Sequence, residues 1–353
     1  MKKKLVIIIV VLLLATILFL YKVSIVKEAV FNSELDSLTI DQKIGQLFIV
    51  GIDGKEMSSE TREFIKDFHP GGILLLGKNI GTAQQLKQLI SGLQEIALSD
   101  TGLPLFIAVD QEGGIVSRIS WVNNVAQSKI NDEKQAYDIG KERGGELISL
   151  GINLNLAPLL DSAGSNDFIF NRTFQKSSQD SLGLGVNLLK GQKDSGIFTA
   201  IKHFPGYGGI AFNPEDKSAV VREVPLIEQF KQVANGDPEF IMVTDVIYKD
   251  LDPLSPFVFS KKGIDYLRTN IKGEYLVLSD DLDQYTFLDN YPLSDVVSLP
   301  IKAGVDMIIF SGHRLESYLG VAAFKEALDG GKISEAEVNE RLSRVLKLKQ
   351  KIK

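Results

Sequence analysis

The chain has 353 residues, of which 44% are hydrophobic and 24% are charged, so it is long and apolar enough to bury a large globular core. Its formal net charge is -6 with no basic run beyond the extreme N-terminus, which excludes the basic surface that nucleic-acid binding requires. The lack of cysteine excludes disulfides and thiolate metal sites, and His69, His203 and His313 are spaced too widely for a histidine metal site. The composition therefore predicts a globular protein without a metal or other cofactor and without a nucleic-acid partner.

The N-terminal segment is predicted to anchor the chain in the cell membrane. Three lysines at positions 2–4 precede residues 5–21, which carry no charge and only one threonine. As a helix these residues span about 25 Å, at the short end of what crosses a bilayer. A cleaved signal peptide is the alternative, but no small-x-small cleavage site follows. The lysines indicate that residues 1–4 stay in the cytoplasm and that the rest, after a linker over 22–35, is extracellular.

Eight short apolar runs follow this linker and are predicted to be strands. Helix-patterned segments separate them, such as 81–98 and 334–352, in which apolar residues recur at three- and four-residue spacing. This alternation predicts an α/β fold, a single (β/α)8 TIM-type barrel over residues 36–353. A doubly wound open sheet is the alternative, but no G-x-G-x-x-G follows the first strand. The predicted strands are 46–52, 71–76, 104–110, 152–158, 198–204, 240–245, 275–281 and 305–311.

Charged residues lie where these predicted strands end. In a barrel the carboxyl ends of the strands meet at one mouth, so residues distant in sequence form one polar cluster there. Carboxylates accept hydrogen bonds from sugar hydroxyls, cationic groups donate to sugar oxygens, and a carboxylate can attack an oxocarbenium-like centre. The cluster therefore indicates a polyhydroxylated, neutral substrate. Its members are Asp110, Asp161, Lys202, His203, Asp245, Asp280 and Asp281.

Six segments resemble, in chain order, the signature motifs of glycoside hydrolase family 3. The similarity is to its single-domain bacterial β-N-acetylhexosaminidases, which trim cell-wall muropeptides, and it covers roughly residues 36–350. It implies a barrel catalytic domain that acts as a retaining exo-glycosidase on β-linked amino sugars, with cell-wall glycan as substrate. The segments are AVDQEGGIVSR (108–118), APLLD (157–161), NRTF (171–174), KHFPG (202–206), LSDDLD (278–283) and AGVDMII (303–309).

The resemblance also implies roles for individual residues. Asp280, the first aspartate of SDD, matches the nucleophile that forms a covalent glycosyl-enzyme. Asp281 is interpreted as structural, and Glu112 as a partner of the sugar-binding residues rather than as a catalytic group. The residues that match sugar-binding positions are Asp110, Arg118, Arg172, Lys202 and His203.

The stretch 202–218, KHFPGYGGIAFNPEDKS, departs from the family pattern. Family members carry a second histidine where this chain has Tyr207, and then an Asp-Ser-His triplet whose histidine is the general acid and base. They also tend to have histidine where this chain has Asp245. Here no histidine occurs between His203 and His313.

Two carboxylic acids in this stretch, Glu215 and Asp216, are the candidate replacements for the missing acid. Partial burial and a neighbouring charge can raise the pKa of a carboxyl group toward neutrality, as other glycosidases require. Two functions therefore stay open: a glycosidase with a nonstandard or weakened acid/base, and a catalytically degenerate barrel that binds glycan or a partner. The sequence leaves the oligomeric state open.

Overall fold

The computed structural model describes residues 35–312 and 317–352. The predicted anchor over 5–21, all but the last residue of the predicted linker, and His313 lie outside the described residues. None of the helices in the described ranges combines the length and the hydropathy needed to span a membrane. Residues Asp41–Lys353 form one compact unit.

Eight parallel strands form a closed barrel. Each strand is hydrogen-bonded to its neighbours in chain order, and the last pairs with the first. Every strand lies within one of the eight apolar runs of the sequence, so the barrel prediction is confirmed and the open sheet is wrong. The strands are β1 Phe48–Gly51, β2 Gly72–Leu75, β3 Phe106–Val109, β4 Leu154–Asn155, β5 Phe198–Phe204, β6 Phe240–Val243, β7 Leu276–Asp281 and β8 Met307–Phe310.

Helices connect the strands and cover the barrel. Several begin at a serine, threonine or aspartate whose side chain accepts a backbone N–H of the first turn, as at Thr82 and Ser334. The predicted helices over 81–98 and 334–352 correspond to α3 and α11 below. The helices are α1 Ile40–Gly45, α2 Ser59–Phe68, α3 Ala83–Thr101, α4 Glu133–Ser149, α5 Ser178–Ser195, α6 Glu228–Ala234, α7 Lys261–Asn270, α8 Tyr285–Leu288, α9 Leu293–Ala303, α10 Ser317–Asp329 and α11 Glu335–Lys349.

Aromatic side chains close the barrel at the N-terminal ends of its strands. Phe106 of β3 and Phe240 of β6 meet edge to face with ring centroids 5.3 Å apart, and Phe198 of β5 lies 6.1 Å from Phe106. Both Phe106 and Phe240 are fully buried. Because side chains fill this end of the interior, the barrel is a packed core, and the cavity lined by the charged residues lies at the opposite end.

A small antiparallel hairpin follows β3 directly. Its two strands are Gln111–Gly113 and Val116–Ser117, and we call residues 111–117 the β3 hairpin. Both side-chain oxygen and nitrogen of Gln111 bond the backbone of Ile119, which fixes the base of this hairpin. The hairpin places Glu112 beside the mouth of the barrel.

Candidate active site

The carboxyl ends of the strands open onto a cavity of about 290 Å³. Seven of the eight residues predicted for the site line this cavity. The eighth, Asp216, is exposed and is not part of the lining. The seven lining residues are Asp110, Arg118, Arg172, Lys202, His203, Glu215 and Asp280.

A buried ionic cluster connects the ends of β3 and β5. Lys202 is 1% exposed, and its Nζ lies 2.6 Å from Asp110 Oδ1 and 2.6 Å from Glu112 Oε1. Arg172 donates from Nη2 and Nε to the two oxygens of Glu112, at 2.7 and 3.1 Å. Burial alone would raise the pKa of Glu112, but the charges of Arg172 and Lys202 outweigh it and hold that pKa well below its usual range. Glu112 is thus an ionised support for two cations, which agrees with its interpretation as a partner residue.

The β3 hairpin can direct Glu112 toward Lys202 and Arg172 because position 113 is a glycine. Gly113 has a φ of 96°, and a Cβ there would lie 2.0 Å from the carbonyl oxygen of Val125. The buried Arg143 donates to the carbonyl oxygens of Glu112 and Val125, at 2.7 and 2.8 Å. Burial lowers the pKa of Arg143 to about 10, so the guanidinium remains charged at neutral pH.

The carboxylate of Asp280 is held at both oxygens while remaining reachable from the cavity. Oδ1 accepts the backbone N–H of Asp281 at 2.9 Å, and Oδ2 accepts the hydroxyl of Tyr207 at 2.8 Å. His203 Nε2 lies 3.8 Å from the same Oδ2, and 22% of the Asp280 side chain is exposed. An oriented and accessible carboxylate is what a nucleophile at a sugar carbon requires.

Asp281, the next residue, is bonded to the protein instead. Its Oδ1 accepts the backbone N–H groups of Asp283 and Ser311, and its Oδ2 accepts the side-chain amide of Gln284. These contacts tie the loop after β7 to the end of β8. The geometry agrees with the interpretation of Asp281 as structural.

Asp161 orients His203 toward Asp280. The Asp161 carboxylate accepts both the backbone N–H and the ring Nδ1 of His203, at 3.1 and 2.9 Å, and its other oxygen accepts the backbone N–H of Tyr207 at 2.7 Å. The Asp161 side chain is fully buried. With Nδ1 bonded in this way, the Nε2 of His203 is the nitrogen directed toward Asp280.

Tyr207 and Asp245 form a contact that the sequence analysis did not predict. The Tyr207 hydroxyl lies 2.9 Å from Asp245 Oδ1 in addition to its contact with Asp280, and both Tyr207 and Asp245 are buried. Burial, and next the charge of Asp280, raises the pKa of Asp245 to about 7. The same factors together with Asp245 raise the pKa of Tyr207 well above its usual value. The signals available in the sequence were the tyrosine and the aspartate at two positions where family members carry histidine.

Glu215 is the candidate acid that the structure brings into the cavity. It is partly buried, and its Oε2 accepts the side-chain amide of Asn213 at 3.1 Å. Burial, and then the charge of Asp280, raises the pKa of Glu215. Lys217 lies over the ring of Phe212, 4.1 Å from its centroid, and does not line the cavity. The geometry thus favours Glu215 over Asp216 as the proton donor.

Known proteins are similar to this chain over most of its length. Residues 39–348 match the model of the glycosyl hydrolase family 3 N-terminal domain. A "Beta-hexosaminidase" of Alkalilimnicola ehrlichii is 30% identical over 286 residues, which are 75% of this chain and 80% of that protein.

Two solved structures share the fold. A family 3 β-N-acetylglucosaminidase from Paenibacillus sp. FPU-7 aligns with a TM-score of 0.84 and 28% identity, over 90% of this chain and 63% of that one. A β-N-acetylhexosaminidase from Beutenbergia cavernae aligns with a TM-score of 0.82 and 27% identity, over 89% of this chain and 99% of that one.

Proposed function

This chain belongs to glycosyl hydrolase family 3, and from that membership we propose that it is a retaining, exo-acting β-N-acetylhexosaminidase. Asp280 is the nucleophile and Glu215 the acid/base in this proposal. The substrate is a glycan with a terminal, β-linked N-acetylated amino sugar. The names of the relatives and of the structural neighbours support this substrate class.

The observation that carries the proposal is the presence of two carboxyl groups in one cavity with different surroundings. Asp280 accepts hydrogen bonds at both oxygens, whereas partial burial raises the pKa of Glu215. A pair in which one carboxyl stays ionised and the other keeps a proton is the arrangement that glycosidases use.

These two groups support a double displacement. Glu215 gives its proton to the glycosidic oxygen while Asp280 attacks the anomeric carbon, so the leaving group departs as a neutral alcohol and the sugar becomes an ester of Asp280. Water then attacks the same carbon, Glu215 accepts a proton from this water, and Asp280 departs as a carboxylate. Two inversions at one carbon give net retention.

The ionic cluster opposite Asp280 supplies the sugar-binding groups. Arg118 Nη2 lies 3.9 Å from Asp110 Oδ2, and 38% of the Arg118 side chain is exposed, so its donors are available to a ligand. Lys202 fixes the other oxygen of Asp110. The oxygen Oδ2 of Asp110 is therefore positioned to accept sugar hydroxyls, while Arg118 donates to sugar oxygens.

The closed cavity supports an exo-acting enzyme. Its volume of about 290 Å³ lies at the lower limit of small-molecule sites, and the packed barrel interior closes it below. One terminal sugar fits such a pocket better than the middle of a chain does. We do not favour the glycan-binding alternative, because a binding site has no requirement for a second carboxyl group of raised pKa.

We also propose that residues 5–21 anchor the chain in the cell membrane, with the barrel outside and cell-wall glycan as its substrate. The three lysines before an uncharged apolar run support the anchor and its orientation. The family resemblance supports the glycan.

Covalent trapping tests the role of Asp280. Incubation with a mechanism-based fluorosugar is expected to leave a glycosyl adduct on the peptide that contains Asp280, located by mass spectrometry of the digest. Asp280→Asn should form no adduct and should lose turnover of an aryl β-N-acetylglucosaminide by at least about a thousandfold. The exposed Asp289→Asn is the matched control and should retain both. An adduct on another residue, or near-normal turnover by Asp280→Asn, would contradict the assignment.

A further inference from the structure

The Tyr207 hydroxyl lies between two carboxylates at hydrogen-bonding distance from each. It is 2.8 Å from Asp280 Oδ2 and 2.9 Å from Asp245 Oδ1. Both distances are typical of an O–H···O hydrogen bond. Each of the two contacts therefore needs a proton of its own.

A phenol hydroxyl has one proton, so it donates to one of the two carboxylates only. If both carboxylates were ionised, the phenol oxygen would face one of them with lone pair against lone pair inside a buried site, which is costly. One of the three groups must therefore carry a second proton. The arrangement that satisfies both contacts is Asp245 O–H donating to the Tyr207 oxygen, and Tyr207 O–H donating to Asp280.

The surroundings decide which carboxyl group holds that proton. Asp280 is 22% exposed, with a backbone N–H on its second oxygen and His203 3.8 Å away. Asp245 is buried, and no ion pair within residues 35–312 and 317–352 includes it. The protonated state therefore belongs at Asp245.

We propose that Asp245 is a positioning residue that carries a proton in the resting enzyme, commits the single proton of Tyr207 to Asp280, and thereby assists the release of the sugar from Asp280. The inference rests on the proposed function, because it takes Asp280 as the nucleophile. The inference adds Asp245 to the residues that assist the reaction. It also predicts that the release of the sugar from Asp280 depends on the protonation of Asp245, which the double displacement alone does not.

Burial and nearby negative charge favour the neutral form of Asp245, and they outweigh the hydrogen bonds from Tyr207 and from a backbone N–H, which favour its ionised form. Tyr207 reaches it from the loop after β5, and the charge of Asp280 acts on it from β7. Glu215 lies on the same loop as Tyr207, and Tyr248 lies on the segment after Asp245 itself. Burial is the largest of these effects and the charge of Asp280 is the next, and the resulting pKa of Asp245 is about 7. The cations of the site, Lys202 and Arg172, are bonded to Asp110 and Glu112 instead.

The release step is where the proton of Asp245 matters. Water attacks the anomeric carbon, its proton passes to Glu215, and the bond between that carbon and the Asp280 oxygen breaks with its electron pair returning to Asp280. The returning negative charge is stabilised by a Tyr207 hydroxyl committed to it. Once Asp245 is ionised, its charge repels the departing carboxylate and competes for the tyrosine proton, so release slows.

The pH dependence of this release step also distinguishes the effect of Asp245 from that of the acid/base Glu215. During release Glu215 acts as a base and must be unprotonated, so its titration makes the step faster as pH rises. A release rate that falls as pH rises therefore reports a different group.

The experiment measures the reactivation of the trapped fluoroglycosyl-enzyme, freed of excess reagent, across a series of pH values. In the trapped enzyme Asp280 is an uncharged ester, so burial is the main factor that raises the pKa of Asp245 there. For the wild type we expect reactivation about tenfold slower on the alkaline side of the Asp245 titration than on its acid side, a factor within the range of a hydrogen bond to a charged group. In Asp245→Asn the amide N–H donates to Tyr207 at every pH, so the ratio of the two rates should be about one. Asp250→Asn, an exposed aspartate on the same segment, is the matched control and should retain the wild-type ratio.

A second measurement observes the proton without any sugar chemistry. Infrared spectroscopy of the resting wild type should show a carboxylic-acid C=O band that disappears as pH rises through about 7, and this band should be missing from Asp245→Asn. Tyr207→Phe should slow reactivation at every pH and weaken its alkaline decline, because the hydrogen-bond link to Asp280 is gone and only the charge of ionised Asp245 still opposes release.

Three outcomes would overturn the inference: a wild type without an alkaline decline in reactivation, an Asp245→Asn variant that keeps this decline, or an unchanged infrared band in that variant. If Asp245→Asn does not fold, the wild-type infrared titration and Tyr207→Phe still decide the question. Failure of the proposed function looks different, because no adduct would then form on Asp280 in the wild type.

Discussion

At the scale of single residues, the two carboxyl groups Asp280 and Glu215 acquire different chemistry from their neighbours. Asp280 has donors on both oxygens, while Glu215 has one amide donor and lies partly buried beside the charge of Asp280. The loop 213–218 thus keeps a group able to hold a proton although it lacks a histidine. The contribution of this proton donor to the reaction rate depends on the pKa of the leaving group.

We predict that Glu215→Gln separates substrates by their leaving groups. An aryl leaving group of low pKa departs largely unaided, whereas a sugar alcohol must be protonated, and general acid catalysis contributes about 10²- to 10⁴-fold. The kcat/KM for a natural disaccharide should fall by such a factor, while kcat/KM for a nitrophenyl glycoside changes little. The neighbouring and exposed Asp216→Asn is the control and should leave both values near those of the wild type. If Asp216→Asn instead loses kcat/KM for the disaccharide selectively, Asp216 rather than Glu215 is the general acid.

We also predict that Asp245 makes the folded protein less stable as pH rises. Its pKa is about 7 in the folded state against 3.8 for an ordinary aspartate, so the folded state binds more protons between these values. The stabilisation is complete below about pH 4, is lost as pH rises to about 7, and stays lost above that. Asp245→Asn removes the dependence, so its free energy of unfolding relative to wild type should be greater at pH 8 than at pH 5, by about 2 kcal/mol. Urea unfolding of both proteins at the two pH values checks this, and equal differences at both would contradict it.

Residue types at strand ends indicated which side chains reach the cavity, but not which of them touch. Tyr207 and Asp245 are 38 positions apart and follow neighbouring strands of the barrel. The hydrophobic pattern fixes the strands, whereas a 2.9 Å contact depends on side-chain rotamers and loop paths that no periodicity reports. For the same reason, Glu215 and Asp216 were equivalent in sequence, although one faces the cavity and the other faces solvent.

At the scale of secondary-structure elements, the barrel strands are evident in the sequence because both of their faces are buried. A buried parallel strand shows as a short run of apolar residues, and all eight such runs contain a strand. The β3 hairpin was not predicted, since QEGGIVS neither alternates nor forms an apolar run. The bounds of α3 differ from the prediction because Thr82 caps its start and Gly102, with a φ of 74°, ends it.

We predict that Gly113→Ala disrupts the β3 hairpin. The new methyl group would meet the Val125 carbonyl oxygen and the Arg143 guanidinium, at 2.0 and 2.7 Å, on a backbone of positive φ. We expect a loss of at least about 3 kcal/mol in the free energy of unfolding. Gly145→Ala in α4 is the matched control, because nothing lies within 4 Å of its added methyl group and alanine favours a helix. Equal stability of the two variants in denaturant titrations would show that the hairpin adapts.

At the scale of the whole molecule, the barrel over Asp41–Lys353 carries the proposed catalytic groups, and the proposed N-terminal anchor would decide where these groups meet a substrate. A tethered exo-glycosidase would act on glycan within reach of the membrane. The family resemblance thus indicates which kind of bond is cleaved. The apolar run at the N-terminus indicates where in the cell this cleavage takes place.

The anchor predicts how the full chain fractionates. It should sediment with membranes, resist carbonate extraction, and be digested by protease added to cells without walls. A variant with Leu13→Asp and Leu14→Asp places two charges in the middle of the apolar run, which costs about 5 kcal/mol for insertion, and should appear in the soluble or secreted fraction. Recovery of a wild-type soluble form that begins near residue 30 would support a cleaved signal peptide instead.

The order of strands around the barrel gives the cavity an electrical polarity. Asp110 follows β3 and Asp280 ends β7, so the two stand on opposite sides of an eight-stranded ring. Asp110 is surrounded by cations that largely cancel its charge, whereas near Asp280 the carboxyl group of Asp281 adds to the negative charge. A sugar between the two sides therefore lies in an electric field whose negative end faces its anomeric carbon. Because the fold fixes the direction of this field before the substrate enters, the positive charge that develops at that carbon meets a potential already arranged to receive it.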